Sequence, residues 1–234
     1  MLRPLVLVSL VLGLSLSAQA RQNGDTAYFP DTAVDLVKFL APPSDTAALA
    51  NKVELAELWQ LQSARTEAQV AAAQADQDIS VFRFADVLDT AKFKPQLLPI
   101  TARFFAQVTA SGQGPSEIAK KAFARPRPFA VDTALHPVLG RPKNASYPSG
   151  HSLGGNLIAI VLADIVPEKR AAIFQRGWAF ARQRAVGGVH YPSDLEAGRI
   201  AAALIAQRLY QESQFRKDLE ASRAEVRRVL GLAH

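Results

Sequence analysis

A turn near the middle of the chain carries the residues best suited to bind phosphate. The sequence Ala-Ser-Tyr-Pro-Ser-Gly-His-Ser occupies positions 145–152, and an apolar segment follows over 153–166. A helix that begins here would present unpaired amide N–H groups, which bind anions well. Ser149 adds a hydroxyl, Gly150 allows close approach of the backbone, and His151 adds an imidazole. The stretch therefore predicts a phosphate site.

Basic residues lie on both sides of this turn. Lys120 precedes Arg127 by seven positions, Pro128 follows directly, and Arg184 lies downstream. An arginine guanidinium pairs with two phosphate oxygens and stays charged at any biological pH. Because cations buried together are costly unless an anion lies among them, we expect Lys120, Arg127 and Arg184 to surround a tetrahedral oxyanion.

Two of the four histidines, His151 and His190, lie near glycine at predicted loop-to-helix boundaries. Asp194 follows His190 by four positions, which on a helical turn brings the carboxylate within reach of the ring and fixes its tautomer. Our hypothesis is that His190 attacks phosphorus and forms a phosphohistidine, while His151 protonates the leaving alcohol and then activates water. The basic residues would stabilise the transition state, and this chemistry needs no metal or other cofactor.

Other chemistries are compatible with some of these residues. His151, His190 and Asp194 could form a metal site of two histidines and one carboxylate. The neighbouring cations would repel a metal ion, so this alternative is disfavoured. A periplasmic protein that binds anions without catalysis is a further alternative.

Helical patterns account for most of the chain beyond residue 30. No window alternates apolar and polar residues for long enough to predict a strand. We therefore expect an all-α, single-domain helical bundle with the active site at loop-to-helix boundaries. The predicted helices near the site cover 116–123, 149–165, 168–186 and 192–210.

Three finer predictions concern the remaining segments. Leu49, Val53, Leu55, Leu58, Trp59 and Leu61 recur at spacings of three and four, which predicts one buried helix face. The sequence Ser-Gly-Gln-Gly-Pro over 111–115 predicts a break between helices. The stretch 129–147, rich in proline and glycine, predicts a long loop that lines the site.

The N-terminal residues 1–20 have the pattern of a signal peptide. Arg3 supplies the positive region, positions 5–16 an apolar core, and Ala18-Gln19-Ala20 a cleavage site. We expect cleavage after Ala20 and a periplasmic domain over 21–234. Later apolar runs are too short to span a bilayer, so we expect no stable membrane insertion.

Composition limits the remaining function classes. The chain has 234 residues and no cysteine, so one domain stabilised by packing alone is expected. A net charge of +6 favours anionic partners. The basic residues are dispersed, without an arginine-rich arm, which argues against nucleic-acid binding.

Taken together, these motifs resemble the three-part signature of the type 2 phosphatidic acid phosphatase superfamily, which includes vanadium haloperoxidases. Within it, the chain is most similar to the bacterial class A non-specific acid phosphatases, which are exported, all-helical enzymes of this size. The residues that carry the resemblance are Lys120, Arg127-Pro128, Pro148-Ser149-Gly150-His151, Arg184, His190 and Asp194.

The resemblance implies a role for each residue and a substrate class, phosphate monoesters of small molecules. His151 would be the proton donor, His190 the nucleophile and Asp194 its partner. Relatives are often homo-oligomeric, and the family usually has serine where this chain has Gln183. A vanadate-dependent haloperoxidase or a membrane lipid phosphatase would use the same site. The residues implied to hold phosphate are Lys120, Arg127, Ser149, Gly150 and Arg184.

Overall fold

The computed structural model describes residues 26–88 and 90–233. Within these ranges the chain forms nine α-helices and no β-strand, so the prediction of an all-α fold is confirmed. The predicted signal peptide, residues 1–20, lies outside the described residues. Short 3-10 helices cover Asp31–Ala33, Val81–Leu88 and Pro167–Lys169. The α-helices are α1 (Leu36–Phe39), α2 (Leu49–Ala64), α3 (Glu67–Ala75), α4 (Pro99–Phe123), α5 (Pro128–Val131), α6 (Gly150–Ile165), α7 (Arg170–Val186), α8 (Pro192–Gln211) and α9 (Ser213–Leu230).

Helix α6 is the centre of the bundle. It packs against α7 and α8 over most of its length and also contacts α4 and α9. Leu157, Ile158, Val161 and Leu162 are fully buried, as expected for a helix that is apolar on all sides. Ser149 caps the helix by accepting a hydrogen bond from the Ser152 amide at 3.3 Å. The predicted start of this helix is confirmed, and its N-terminus faces the site described below.

Close packing of α8 against the start of α6 depends on Gly198. A Cβ atom at this position would lie 2.6 Å from the Ser149 carbonyl oxygen and 2.7 Å from Ser152 Cβ. The close approach also allows the Ser149 amide to donate to the Asp194 carbonyl oxygen at 3.0 Å. The starts of α6 and α8 are therefore held together, which brings two of the predicted motifs into one place.

The predicted helix break over 111–115 is wrong, because α4 runs without interruption from Pro99 to Phe123 and contains Pro115. Gly112 faces Leu153 so closely that a Cβ atom would lie 2.5 Å from Leu153 Cδ2. Ser111 is buried, and its hydroxyl accepts a hydrogen bond from the Tyr28 amide at 2.9 Å. Packing on both sides of the helix thus outweighs the low helix propensity of this segment.

The predicted apolar face of α2 is confirmed only in part, because Leu55 and Leu61 pack beside the buried Leu58 while the other members are exposed. Leu49 is 77% exposed and Val53 60% exposed, whereas Leu58 is buried. The inward face also carries Asn51 and Glu54, which lie on the same side of the helix as Leu58 and contact a buried arginine. Helix α2 therefore covers the polar surroundings of the site through both hydrogen bonds and apolar contacts.

The long loop predicted over 129–147 contains one short helix, α5, which begins at Pro128. Proline is well accommodated at the first position of a helix, since its missing N–H group is not needed there. Along the described chain, every helix is too short or too polar to cross a membrane.

Candidate active site

A cavity of about 330 Å³ opens at the N-terminus of α6. Ser149 and Asp194 are fully buried behind its wall, where Ser149 caps α6 and Asp194 contacts His190. The structure therefore brings together all the side chains that the sequence singled out, from three separate motifs. Those that line the cavity are Lys120, Arg127, Gly150, His151, Arg184 and His190.

The contacts of His190 determine which ring nitrogen carries the proton. Arg127 Nη1 lies 3.0 Å from His190 Nε2, and the guanidinium has only donors, so Nε2 must accept. The proton is therefore on Nδ1, which lies 3.2 Å from Asp194 Oδ2. Burial lowers the pKa of His190 well below its ordinary value, so the ring is neutral. The Nε2 lone pair therefore accepts from Arg127 at the cavity wall, and it is freed when an anion takes over this donor.

Asp194 is held by several donors in addition to His190. Arg125 Nη1 donates to Oδ1 at 2.7 Å, and the Tyr191 amide donates to Oδ2 at 2.8 Å. The Ser146 hydroxyl also donates to Oδ2. Although burial opposes it, the contacts with His190, Arg125 and Ser146 hold the pKa of Asp194 below its ordinary value. The carboxylate therefore stays ionised while it orients His190.

Arg125 was missed as a functional residue by the sequence analysis. It is buried, and its Nη2 donates to Asn51 Oδ1 at 2.9 Å and to Glu54 Oε2 at 2.7 Å. Its guanidinium carbon also lies 3.8 Å from the centroid of the Tyr191 ring. The position is visible in the Arg-Pro-Arg-Pro stretch, but its partners on α2 and α8 are far away in sequence, so no local signal identifies them.

Arg184 presents hydrogen-bond donors that lack a partner. Its side chain is buried, and neither Nε nor Nη1 has a hydrogen bond within the described part of the chain. Burial and the nearby charge of Arg127 lower the pKa of Arg184 to about 10, so it remains charged at neutral pH. Unpaired buried donors are costly, and an anion in the cavity would satisfy them. Gln183 Oε1 is likewise buried without a partner in the described ranges.

Lys120 supports the turn that precedes α6. Its Nζ donates to the carbonyl oxygens of Ala145 at 2.9 Å, Ser146 at 3.3 Å and Pro148 at 2.7 Å. Burial and the charge of Arg127 lower the pKa of Lys120 to about 8. The ammonium group therefore holds the turn in place and contributes positive charge to the cavity at acid and neutral pH.

His151 has a defined tautomer as well. Its Nε2 lies 2.7 Å from the carbonyl oxygen of Gln77, which can only accept, so Nε2 carries a proton. Nδ1 is then the nitrogen that is available for proton transfer. Burial and the charge of Arg184 lower the pKa of His151 to about 4. The contact with Gln77 was not predicted, because every residue type has a backbone carbonyl and the sequence therefore gives no indication of it.

The arrangement combines the parts of an acid-base and nucleophilic site around a cationic cavity. One imidazole is oriented by a carboxylate and has an unprotonated Nε2 that accepts from Arg127, and a second can carry a proton at Nδ1. Positive charge from Lys120, Arg127 and Arg184 surrounds the space into which both rings are exposed. Such a site can bind a tetrahedral oxyanion and act on it from two sides.

The sequences of known proteins that resemble this chain are consistent with this description of the site. The sequence profile of the PAP2 superfamily matches residues 101–218. The non-specific acid phosphatase of Salmonella typhimurium is 30% identical over 84% of this chain and 82% of its own length. The acid phosphatase of Zymomonas mobilis is 39% identical over 50% of this chain and 46% of its own length.

A solved structure supports the assignment at the level of the fold. A bacterial vanadium-dependent iodoperoxidase has a TM-score of 0.50 at 17% identity, over 82% of this chain and 61% of its own. The resemblance drawn from the motifs is confirmed by the family match and by the relatives. The chain therefore belongs to the PAP2 superfamily and, within it, to the family of the bacterial non-specific acid phosphatases.

Proposed function

We propose that this protein hydrolyses phosphate monoesters of small molecules through a phosphohistidine at Nε2 of His190. The observation that carries the proposal is the pair of contacts made by His190, with Arg127 at Nε2 and Asp194 at Nδ1. These contacts keep Nε2 unprotonated beside the cations, and its lone pair is released when Arg127 turns from Nε2 to a phosphoryl oxygen. A nucleophile oriented by a carboxylate, beside a cationic cavity, suits attack on phosphorus.

In the first step, the lone pair of His190 Nε2 attacks phosphorus and a P–N bond forms. The ester P–O bond breaks, and the leaving oxygen takes a proton from His151 Nδ1. In the second step, water attacks the phosphohistidine and gives its proton to the same Nδ1. The P–N bond then breaks, its electron pair returns to Nε2, and inorganic phosphate leaves. The bond from His151 Nε2 to the Gln77 carbonyl persists throughout.

Positive charge replaces a metal ion in this proposal. Lys120, Arg127 and Arg184 would stabilise the charge on the phosphoryl oxygens, and the Gly150 amide adds a donor at the start of α6. The same charges would repel a divalent cation. Metal independence is tested by measuring turnover after exhaustive chelation, which we expect to leave the rate unchanged.

The protonation of His151 favours activity at acid pH. Without an anion, its pKa is lowered to about 4 by burial and by Arg184. A bound phosphate dianion would favour the imidazolium and raise this pKa in the complex. Because the proton must be present when the alcohol leaves, the rate should fall as pH rises above the pKa of the complex.

Export is part of the proposal and rests on the sequence of residues 1–20. The order of a positive residue, an apolar core and Ala-Gln-Ala is that of a cleaved signal peptide. The mature protein would begin at Arg21 and act in the periplasm. N-terminal sequencing of protein recovered from the periplasm tests this, and an intact Met1 would contradict it.

Trapping of the phosphoenzyme tests the mechanism. Rapid acid-free quenching after mixing with labelled substrate should yield a phosphoenzyme that is stable in alkali and labile in acid. His190→Ala should lose both this species and phosphate release. His136→Ala is the matched control, because His136 is exposed and lies outside the cavity. Unchanged turnover in His190→Ala would refute the proposal.

A further inference from the structure

We propose that Asp76 and Arg176 position His151 for proton transfer, and thereby determine how fast the enzyme acts on substrates with poor leaving groups. We call this ion pair the Asp76–Arg176 clamp. The inference rests on the proposed function, since it assigns a positioning role toward the proton donor of that mechanism. Neither residue belongs to the three motifs that define the family.

The clamp is a buried, bidentate ion pair at the end of α3. Arg176 Nη1 donates to Asp76 Oδ2 at 2.9 Å, and Nη2 donates to Oδ1 at 2.7 Å. Arg83 Nε donates to the same Oδ1 at 3.0 Å. Asp76 is only 2% exposed. Two parallel hydrogen bonds fix both the position and the orientation of a carboxylate, so this point of the backbone is held firmly.

The clamp acts on His151 first through the backbone. Asp76 immediately precedes Gln77, whose carbonyl oxygen accepts the proton of His151 Nε2 at 2.7 Å. A backbone carbonyl has no rotamer of its own, so its direction depends on what holds the neighbouring residues. The Asp76 and Gln77 amides donate to the Ala72 and Gln74 carbonyl oxygens at 3.1 and 3.2 Å, and the Asp76 side chain anchors the same turn through its ion pair. The clamp therefore contributes to the position of this carbonyl.

Arg176 contacts a second support of the same imidazole. Its guanidinium carbon lies 5.7 Å from the centroid of the Phe180 ring. That ring stacks on His151 with centroids 6.3 Å apart and an interplanar angle of 18°. One arginine side chain thus contacts both the segment that binds the Nε2 proton and the ring that covers the face of the imidazole.

Loss of the clamp should affect one chemical step selectively. If the Gln77 carbonyl moves, the imidazole can rotate and Nδ1 no longer faces the leaving oxygen. Departure of an alkoxide requires the proton, whereas p-nitrophenolate is stable enough to leave without it. The nucleophile His190 and its partner Asp194 are held by other contacts, so phosphoryl attack should be preserved.

The test compares two substrates in an isosteric variant. Asp76→Asn should lower kcat/KM for an alkyl phosphate by about 10- to 100-fold, the size of effect seen when a residue that orients a metal-ligating histidine is removed. The value for p-nitrophenyl phosphate should change little. Asp164→Asn is the matched control, because Asp164 pairs with Arg223 at 3.1 Å at the far end of α6. This control variant should leave the ratio of kcat/KM for the two substrates unchanged.

A double variant separates positioning from a general loss of structure. If Asp76 acts through His151, adding Asp76→Asn to His151→Ala should produce no further loss of kcat/KM for phenyl phosphate. Additive losses, or an equal loss for both substrates in Asp76→Asn, would overturn the inference. Should Asp76→Asn fail to fold, Arg176→Lys keeps the charge but cannot pair with both oxygens, and the same selective loss is expected.

The outcome also distinguishes this inference from the proposed function. Activity that survives His190→Ala would refute the mechanism itself, whatever the clamp does. The clamp alone would be refuted if His190→Ala loses activity while Asp76→Asn and Arg176→Lys leave the ratio of kcat/KM for the two substrates unchanged.

Discussion

Arg125 and His190 bind different oxygens of one carboxylate, that of Asp194. Arg125 Nη1 lies 2.7 Å from Oδ1, and His190 Nδ1 lies 3.2 Å from Oδ2. The orientation of the proposed nucleophile therefore depends on an arginine that does not line the main cavity. Because Arg125 also pairs with Glu54 on α2, the position of that helix is coupled to the site.

Arg125→Lys should slow phosphoryl attack without weakening substrate binding. A lysine ammonium cannot reproduce the planar fork that contacts both Asp194 and α2. We expect kcat to fall by about 10- to 100-fold for alkyl and aryl phosphates alike, with little change in the inhibition constant of phosphate. Arg199→Lys, in a surface pair with Glu196, is the control. A loss confined to poor leaving groups would contradict this role.

Arg184→Met should remove the stabilisation that phosphate provides. In the wild-type protein, phosphate at about 100 times its dissociation constant should add about 2.7 kcal/mol to the free energy of unfolding. The variant loses two buried donors that have no hydrogen-bond partner among the described residues, so without phosphate it should be at least as stable as the wild type. Thermal unfolding with and without phosphate measures both effects.

The exposed neighbour on α7 supplies the control for that experiment. Arg182→Met alters charge by the same amount on the same helix but outside the cavity. It should keep the full phosphate-dependent rise in Tm. If both variants lose a similar part of the phosphate-dependent rise in Tm, the anion is held by long-range electrostatic attraction and not by contact with Arg184.

Phosphate inhibition should weaken in alkaline solution because Lys120 loses its charge. Burial and Arg127 lower the pKa of Lys120 to about 8, so the ammonium is present below this pH and lost above it. The inhibition constant of phosphate should rise by up to about tenfold per pH unit beyond that point, as one charge is titrated, and level off at the value expected without this charge. Lys120→Met should bind phosphate more weakly and show no such inflection. The same inflection in the variant would assign it to another group.

Gly198→Ala should destabilise the protein and disturb the site together. The added Cβ would lie 2.6 Å from the Ser149 carbonyl oxygen, so α8 must move away from the start of α6. We expect a loss of about 1–3 kcal/mol in stability and a lower kcat. Gly140→Ala is the matched control, because a Cβ there would meet no atom of the described chain within 4 Å apart from its sequence neighbours. Equal stability of the two variants in urea unfolding would show that the contact is not rigid.

Some elements of the fold were predictable because they depend on local interactions. Ser149 caps α6 by bonding an amide three residues away, and Pro192 begins α8, so both boundaries are encoded within one turn of helix. The contact between His190 and Asp194 is likewise local, since four residues separate them. The capping box of Thr66 and Gln69 at the start of α3 belongs to the same class.

The elements that the sequence analysis missed depend on distant partners. Helix α4 continues through Gly112 and Pro115 because Leu153 packs against it, and α2 turns Asn51 inward because Arg125 is there. The partner of His151 is a backbone carbonyl whose residue type is irrelevant.

Local patterns in the sequence were sufficient for the helical class, the family motifs and the helix starts on which the predicted site residues lie. The groups that surround those residues, including Arg125 next to Asp194 and the Asp76–Arg176 clamp near His151, could be identified only in the folded chain. The difference lies in the range of the interactions. Capping and periodicity act within a few residues, whereas buried ions and backbone acceptors find their partners only when distant segments pack together.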